Sequence, residues 1–487
     1  MTETEPRGLQ GRVSGQPALR TKAGIPAGVV FIAFTLMTTI TWAQEIQDDW
    51  SSGWSDAVES ESAAVGGEHG DSSAFAGTAA ALYGYVETIG VTQFPSGDSP
   101  AVGSSTRARL KGEWHPEERI TARVEMLYEQ QLGIANGLVG LNSAGINPQP
   151  EIQAENQQDD FTQSFTVDHV YAIVNLDRVD VSLGRMPIAW GVGYVFNPTD
   201  RVNTAGSLQG SEEETPGTGA VSLAFHFPFA WSLESYLAFE PGGTGGAALV
   251  EMSQADNLPF GVRLRGNVLG FDLSLSALRG VWYSGEAGGY DISVDPAVAA
   301  EKWEVDYRLG ADAIGNIGPL GAYVEAALAL PQTGNEIDFG ATRDSAYSLE
   351  RALDTVVGLE YITRNDVSFK VEYAHLGGGA AHKDSYDPSR VLSGRAITMG
   401  RDYLFLYASG IVAEFWELTF GTLGNLRDGS VVLTHEVIYD IRDNMELTAS
   451  ATVPFGKRGS EYDGRVSALD GVDLYATEVN LGVRVSF

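Results

Sequence analysis

Residues 302–313 read Lys-Trp-Glu-Val-Asp-Tyr-Arg-Leu-Gly-Ala-Asp-Ala, and their alternation decides the fold. Even positions hold Lys302, Glu304, Asp306, Arg308, Gly310 and Asp312; odd positions hold Trp303, Val305, Tyr307, Leu309, Ala311 and Ala313. A helix would scatter the charges round its circumference. A strand sends successive side chains to opposite faces, so every charge falls on one side and every apolar group on the other. One face then suits water and the other lipid, as in the wall of a transmembrane barrel.

The chain ends on the same pattern. Tyr475, Thr477, Val479, Leu481, Val483, Val485 and Phe487 face one way, while Glu478, Asn480, Arg484 and Ser486 face the other. A terminal aromatic after alternating apolar residues resembles the signal read by the barrel-assembly machinery of outer membranes, which makes that machinery an expected partner.

Between these strands, short and long connections alternate, as they do at the two ends of such barrels. Short turns fall near His115 to Arg119, Asp177 to Val179, Pro228 to Ala230, Leu269 to Phe271, Asn316 to Leu320, Arg364 to Asp366, Gly410 to Ala413 and Ile441 to Asn444. Longer segments lie at 131–162, 191–216, 241–257, 282–302, 332–350, 377–399 and 454–472. The reading is all-β: an antiparallel transmembrane β-barrel of about 18 strands over residues 78–487. The connection at 424–429 is short although it lies on the long side, so 16 strands remains an alternative.

Composition agrees. The apolar fraction is 43%, yet only one long apolar run exists, which rules out a bundle of transmembrane helices. There is no cysteine, so a thiolate zinc site, a CxxC redox motif and CxxCH haem attachment are excluded. No cofactor is expected. The net charge of −33 repels nucleic acid and anionic lipid.

That one apolar run, Ala23 to Ile40, follows Arg7, Arg12, Arg20 and Lys22 and leads to Thr41-Trp42-Ala43 before Gln44. A basic stretch, an apolar core and small residues at −3 and −1 describe a cleaved signal peptide over 1–43. Residues 44–77 carry eight Asp or Glu and no basic residue, and read as an acidic periplasmic tail. Together with the barrel, they place the chain in the outer membrane of a Gram-negative bacterium. Membrane lipid and lipopolysaccharide would surround it, and a homo-oligomer is compatible with this class.

If polar faces look inward, the lumen can be written out. Early strands contribute Arg107, Arg109, Lys111, Arg123, Arg185, Arg263 and Arg265, with Glu113, Glu125, Glu129, Asp168 and Asp272. Later strands contribute Glu304, Asp306, Asp312, Glu325, Glu360, Glu372, Glu417, Glu436, Asp440, Glu446 and Glu478, against Lys302, Arg308, Lys370 and Arg484. Strands follow chain order round the wall, so one arc would be mildly basic and the other acidic. Such a field filters ions and orients dipolar solutes, with a weak preference for cations. The alternative is that these charges simply pair with one another.

One motif interrupts the alternation: Gly184-Arg185-Met186-Pro187-Ile188-Ala189-Trp190-Gly191, continuing through Gly193, Asn197-Pro198-Thr199-Asp200 and Arg201 to Asn203. The two glycines permit a sharp change of direction, Asn197-Pro198 favours a turn, and Thr199 or Asp200 could cap a short helix. Arg201 could pair with Asp200 or a lumen carboxylate. About 20 residues here resemble a segment of porin-like outer-membrane families, where Gly-Arg is followed by Trp-Gly and then Asn-Pro-Thr-Asp. The chain also looks like general porins in having a third loop able to fold inward. The resemblance implies a channel for small hydrophilic solutes, with Trp190, Asn197, Asp200 and Arg201 on a constriction loop. A latch holding the barrel wall is the competing role for that loop.

Two other classes fit less well. An outer-membrane enzyme would need a nucleophile beside a histidine; none of His69, His115, His169, His226, His375, His382 and His435 sits in such a motif, and His435 reads as facing lipid. A structural or surface-binding barrel, anchoring polysaccharide or a protein, could use acidic loops such as Glu212-Glu213-Glu214, but no calcium-loop spacing is present.

Overall fold

The computed structural model describes residues 79–94, 100–133, 161–202, 215–239, 258–283, 303–334, 336–340, 348–387, 391, 396–463, 467–469, 472–473 and 476–487. The expected signal peptide and acidic tail lie outside these residues.

Eighteen antiparallel strands form one closed sheet. They are β1 Ala79–Phe94, β2 Ala101–Glu117, β3 Ile120–Gly133, β4 Phe161–Leu176, β5 Val179–Pro187, β6 Gly217–Phe227, β7 Trp231–Ala238, β8 Phe260–Val268 and β9 Phe271–Tyr283. There follow β10 Trp303–Ile317, β11 Leu320–Ala329, β12 Leu353–Ile362, β13 Ser368–Leu376, β14 Asp402–Val412, β15 Trp416–Asn425, β16 Val431–Arg442, β17 Met445–Phe455 and β18 Thr477–Ser486. Each pairs with its neighbours in chain order, and β1 pairs with β18 from Tyr85↔Ser486 to Phe94↔Thr477. Closure removes the unpaired edge that lipid would not solvate. Two two-stranded ladders, Gln332–Thr333 with Glu336–Ile337 and Ser467–Leu469 with Val472–Asp473, lie outside the wall.

All eight short turns fall where expected. The sixteen-strand alternative is excluded, because β15 and β16 pair as separate strands across the tight connection at 426–430. Leu269 and Gly270, the two residues of one short turn, are both left-handed, and the three-residue turns 228–230 and 413–415 each hold two left-handed residues, Phe229 with Ala230 and Ala413 with Glu414. In the two-residue turn at Leu269 and Gly270, that conformation matches the twist of the flanking strands.

Alternation sorts the two faces. Leu183, Leu275, Leu309, Phe369, Phe420 and Leu481 stand exposed on the outside, where lipid would cover them. His435 lies on this face, its ring 4.5 Å from that of Phe420. Asp306, Arg308 and Asp312 of the opening stretch point inward: Arg308 pairs with Asp306 (2.8 Å) and with Asp354 of β12, and Ser274 donates to Asp312. The interior is not polar throughout. Val356, Ala374, Phe405, Leu423 and Val432, from β12 to β16, are buried in one apolar cluster inside the barrel.

The seam is held by the last residue. Gly84 N–H donates to the Phe487 carbonyl and Phe487 N–H to the Gly84 carbonyl, both at 2.9 Å, and the Phe487 ring lies against Gly84. Deleting Phe487 should lower barrel stability by about 1–3 kcal/mol, two ladder bonds at about 0.5–1.5 kcal/mol each. Urea unfolding in micelles will measure it; an unchanged midpoint would contradict the assignment.

Candidate functional site: a segment across the lumen

β5 ends at Pro187, and residues 188–202 turn into the barrel instead of continuing the wall. An irregular segment exposes amides that a strand would pair. These must find partners inside the lumen.

Two carboxylates supply them. Glu325 of β11 accepts from Val192 N–H (2.8 Å), Gly193 N–H (3.3 Å), Thr199 N–H (2.7 Å) and the Thr199 hydroxyl (2.8 Å). Glu372 of β13 accepts from Tyr194 N–H (2.6 Å), Val195 N–H (3.1 Å), Phe196 N–H (3.0 Å) and the Tyr323 hydroxyl (2.7 Å). Both glutamates are fully buried. Hydrogen bonds to a carboxylate are shorter and stronger than neutral ones, so the pair fastens six consecutive-turn amides to the wall.

Side chains complete the docking. Trp190 packs edge-on against Tyr236 of β7 at 4.8 Å, with the Arg263 guanidinium of β8 4.5 Å from its ring. Tyr194 lies 5.6 Å from Phe405 and 5.1 Å from Tyr407, both on β14, with Lys370 Nζ 3.9 Å from its ring. Phe196 meets Tyr403 at 5.5 Å. On the way back, Arg201 pairs with Asp306 of β10 at 2.6 Å, and Val202 rejoins Met186, Ile188 and Tyr236. β14 stands halfway round an eighteen-strand wall from β5. The segment therefore crosses the lumen.

Local sequence makes this path accessible. Gly191 has φ +109°, and a Cβ there would sit 2.6 Å from Asn197 Oδ1 and 2.8 Å from Glu325 Oε2. Only glycine fits. Gly358 of β12 leaves room for the Tyr323 ring, which would meet any Cβ added there and which carries a Glu372 donor. The expected short helix has no helical turn within the described residues 199–202, where Thr199 turns to Glu325 and Asp200 Oδ1 accepts Val202 N–H at 3.0 Å; its continuation lies outside the described residues.

The other sequence-derived residues are placed as follows. Arg107 pairs with Glu129 (2.9 Å), and Arg123 with Glu113 (2.7 Å) while donating to Tyr171 (3.2 Å). Arg109 is buried between Glu125 and Asp168 (3.3 Å to the latter). His169 bridges Glu125 and the Thr215 carbonyl, and Asp168 accepts Gly217 N–H, so this group anchors the return of the crossing connection. Lys111 Nζ lies 6.0 Å from the Tyr83 ring. Arg185 stays at the wall, its Nε donating to the Asp168 carbonyl. Arg263 pairs with Glu234 (2.5 Å), and Arg265 with Asp272 (3.6 Å). Glu304 lies opposite Trp282 in the β9–β10 ladder. Asn197 closes a turn through its carbonyl, which accepts Asp200 N–H at 3.0 Å.

Sequence reasoning named Glu325 and Glu372 only as lumen charges. Their role as docking points depends on contacts across more than a hundred residues of chain. Among the described residues, no cluster of His, Cys, Asp or Glu could hold a metal ion.

No protein-family model and no curated protein matches the chain. Among solved structures, a triple-mutant porin of Rhodopseudomonas blastica has 12% identity and a TM-score of 0.39, over 84% of this chain and 100% of that one. OmpF of Salmonella typhi in complex with daunomycin has 11% identity and a TM-score of 0.39, over 84% and 97%. Superpositions this loose carry no argument; the closed eighteen-strand barrel and its crossing segment rest on the chain's own ladders and contacts.

Replacing both carboxylates, Glu325→Ala with Glu372→Ala, should leave the six amides without acceptors, at about 1–3 kcal/mol each where water does not substitute. Trypsin should then cut after Arg201, which is buried in the parent. An uncut Arg201 in the folded double variant would overturn the docking assignment.

Proposed function

We propose that the protein is a porin-like channel of a Gram-negative outer membrane, passing small hydrophilic solutes with a weak preference for cations. One observation carries the reading: the crossing segment occupies only part of the lumen. Its contacts fall on the wall from β6 to β14 and on the apolar cluster that extends to β16. The facing arc, from β17 through the seam to β3, carries the inward ion pairs Arg484–Glu87, Arg107–Glu129 and Arg109–Glu125.

That arc leans negative at the seam. Glu436 of β16 lies within electrostatic reach of Glu417, Glu87 and Arg484, three carboxylates to one guanidinium. Arg484 is itself shared between Glu87 (3.1 Å) and Glu446 (3.9 Å). Elsewhere the lumen charges form cross-strand pairs, which keeps the preference weak. Under this reading the long connections face outward and the short turns face the periplasm. Residues 1–43 are the export signal and 44–77 a periplasmic tail. Lipid and lipopolysaccharide surround the wall, the barrel-assembly machinery inserts it, and copies associate through their outer faces. No enzymatic role is proposed.

The apolar packing of β12–β16 against the segment supports one second reading, a barrel sealed as a structural or surface-binding anchor. Planar-bilayer recording separates the two. A channel gives ohmic conductance and a cation-directed reversal potential in a salt gradient; silence at every voltage would leave the anchor. Glu417→Gln with Glu436→Gln should bring the cation-to-anion permeability ratio close to unity in about 0.1 M salt, where charges act over about 10 Å. An unchanged ratio would remove the seam carboxylates from the selectivity account.

A further inference from the structure

A second fastening sits at the long-connection end of the wall. Glu461, six residues past the end of β17, is fully buried. It accepts hydrogen bonds from Met399 N–H (2.6 Å), the Tyr403 hydroxyl (2.5 Å) and Asn425 Nδ2 (2.6 Å). Those donors come from three places: the connection before β14, β14 itself and the end of β15. Glu461 N–H is in turn donated to Asp428 in the β15–β16 turn at 2.7 Å. Tyr462, next in sequence, donates its N–H to Ser430 Oγ at 3.2 Å. Its side chain is buried in the same cluster as Val195 and Phe196, the tip of the crossing segment. One carboxyl thus ties three elements together over that tip.

The charge setting is one-sided. Among the described residues, no basic side chain forms an ion pair with Glu461. Lys383 Nζ is donated to the Arg458 carbonyl (3.2 Å), Arg401 turns to Glu350 (2.7 Å), and Arg427 pairs with Asp402. The titratable groups facing Glu461 are Tyr403, Tyr386 and Asp428. Burial works against ionising Asp428, but hydrogen bonds from Ser430, Tyr386 and the Glu461 N–H outweigh it and hold its carboxyl below the usual range. Glu461 therefore faces a fixed negative charge. Burial pushes its own carboxyl up to about 7, against its three donors.

We propose that Glu461 is a proton-operated clamp on the crossing segment, closed while its carboxyl is protonated and loosened when it ionises. The sign follows from linkage. An acid that holds its proton more tightly in the closed state takes one up on closing, so closure weakens as pH rises from the ordinary carboxylate range to about 7 and levels off above it. Loosening frees the connection that holds Tyr462 behind Phe196 from Tyr403 of the wall, which widens the passage. The consequence for conductance rests on the channel reading; the clamp itself does not.

Two measurements separate them. In bilayers between about pH 4.5 and 8, conductance should step up as pH rises towards about 7 and stay level above it. Glu461→Gln should abolish the step and stay at the low level. Asp428→Asn, lacking the like charge, should move the midpoint to lower pH. The parent chain has no cysteine, so Thr398→Cys, 2% exposed beside Met399, offers a single buried thiol. Its labelling rate, divided by the rate of the same thiol in the Glu461→Gln background at each pH, should rise as pH approaches about 7 and level off above it. A conducting barrel with flat conductance and a flat labelling ratio overturns the clamp and leaves the channel reading standing. A silent barrel whose labelling ratio rises keeps the clamp and overturns the channel reading. If Glu461→Gln yields no folded barrel, the Asp428→Asn midpoint decides alone: a shift to lower pH supports the clamp, and no shift overturns it.

Discussion

An irregular stretch of backbone inside a barrel is tolerable only if its amides are satisfied away from lipid. Here two glutamates meet that constraint, and the rest of the lumen is arranged round them. Glu325 and Glu372 stand on strands two apart in the wall and together accept six backbone N–H groups of residues 192–199. A carboxylate accepts several donors at once and donates nothing when ionised. A single side chain can therefore gather a turn of amides that no regular ladder could reach. The aromatic contacts of Tyr194 and Phe196 then exclude water from behind the docked segment, which strengthens the same bonds.

This arrangement divides the lumen. On the docked side, apolar residues of β12–β16 pack against the segment as a small core would. On the other, charges meet across strands: Arg107 with Glu129, Arg123 with Glu113, Arg484 with Glu87. Pairing of this kind satisfies buried charge more than it builds a strong field. The simple picture of a basic arc facing an acidic one is thereby reduced to a local excess at the seam, where Glu436 has Glu417 and Glu87 as like-charged neighbours and one nearby cation, Arg484, which itself pairs with Glu87 and Glu446. Constriction and latch, posed as alternatives for the segment, are not mutually exclusive. The segment is held by Glu325 and Glu372, and these holders are part of the wall.

Much of this was legible in the chain. Period-two alternation located the strands, and turn residues located all eight short connections. The break in alternation near Trp190 singled out the segment that leaves the wall, which the structure starts three residues earlier, after Pro187. Less could be read where both faces are apolar, as in Tyr403-Leu404-Phe405-Leu406-Tyr407, because alternation separates polar from apolar and says nothing when both sides are apolar. That is why the interior cluster went unseen. The partners of Glu325 and Glu372 were hidden for a different reason: 126 to 178 residues separate them from the amides they accept. Spacing along the chain carries no trace of such contacts. Even so, both glutamates were already placed on the lumen face, and Gly191, Asn197 and Arg201 were already named.

The segment's position across the lumen is the claim on which everything else depends, and a covalent link tests it most directly. A Cβ built on Gly310 of β10 lies 3.5 Å from Thr199 Cβ, within the range of a disulfide at about 3.5–4.5 Å. Thr199→Cys with Gly310→Cys introduces two thiols into a chain that has none. The account predicts that the folded barrel, purified without reductant, contains no free thiol on denaturation and regains two after reduction. Two free thiols in an oxidised, fully folded barrel would show that the segment does not lie against β10, and would contradict the account.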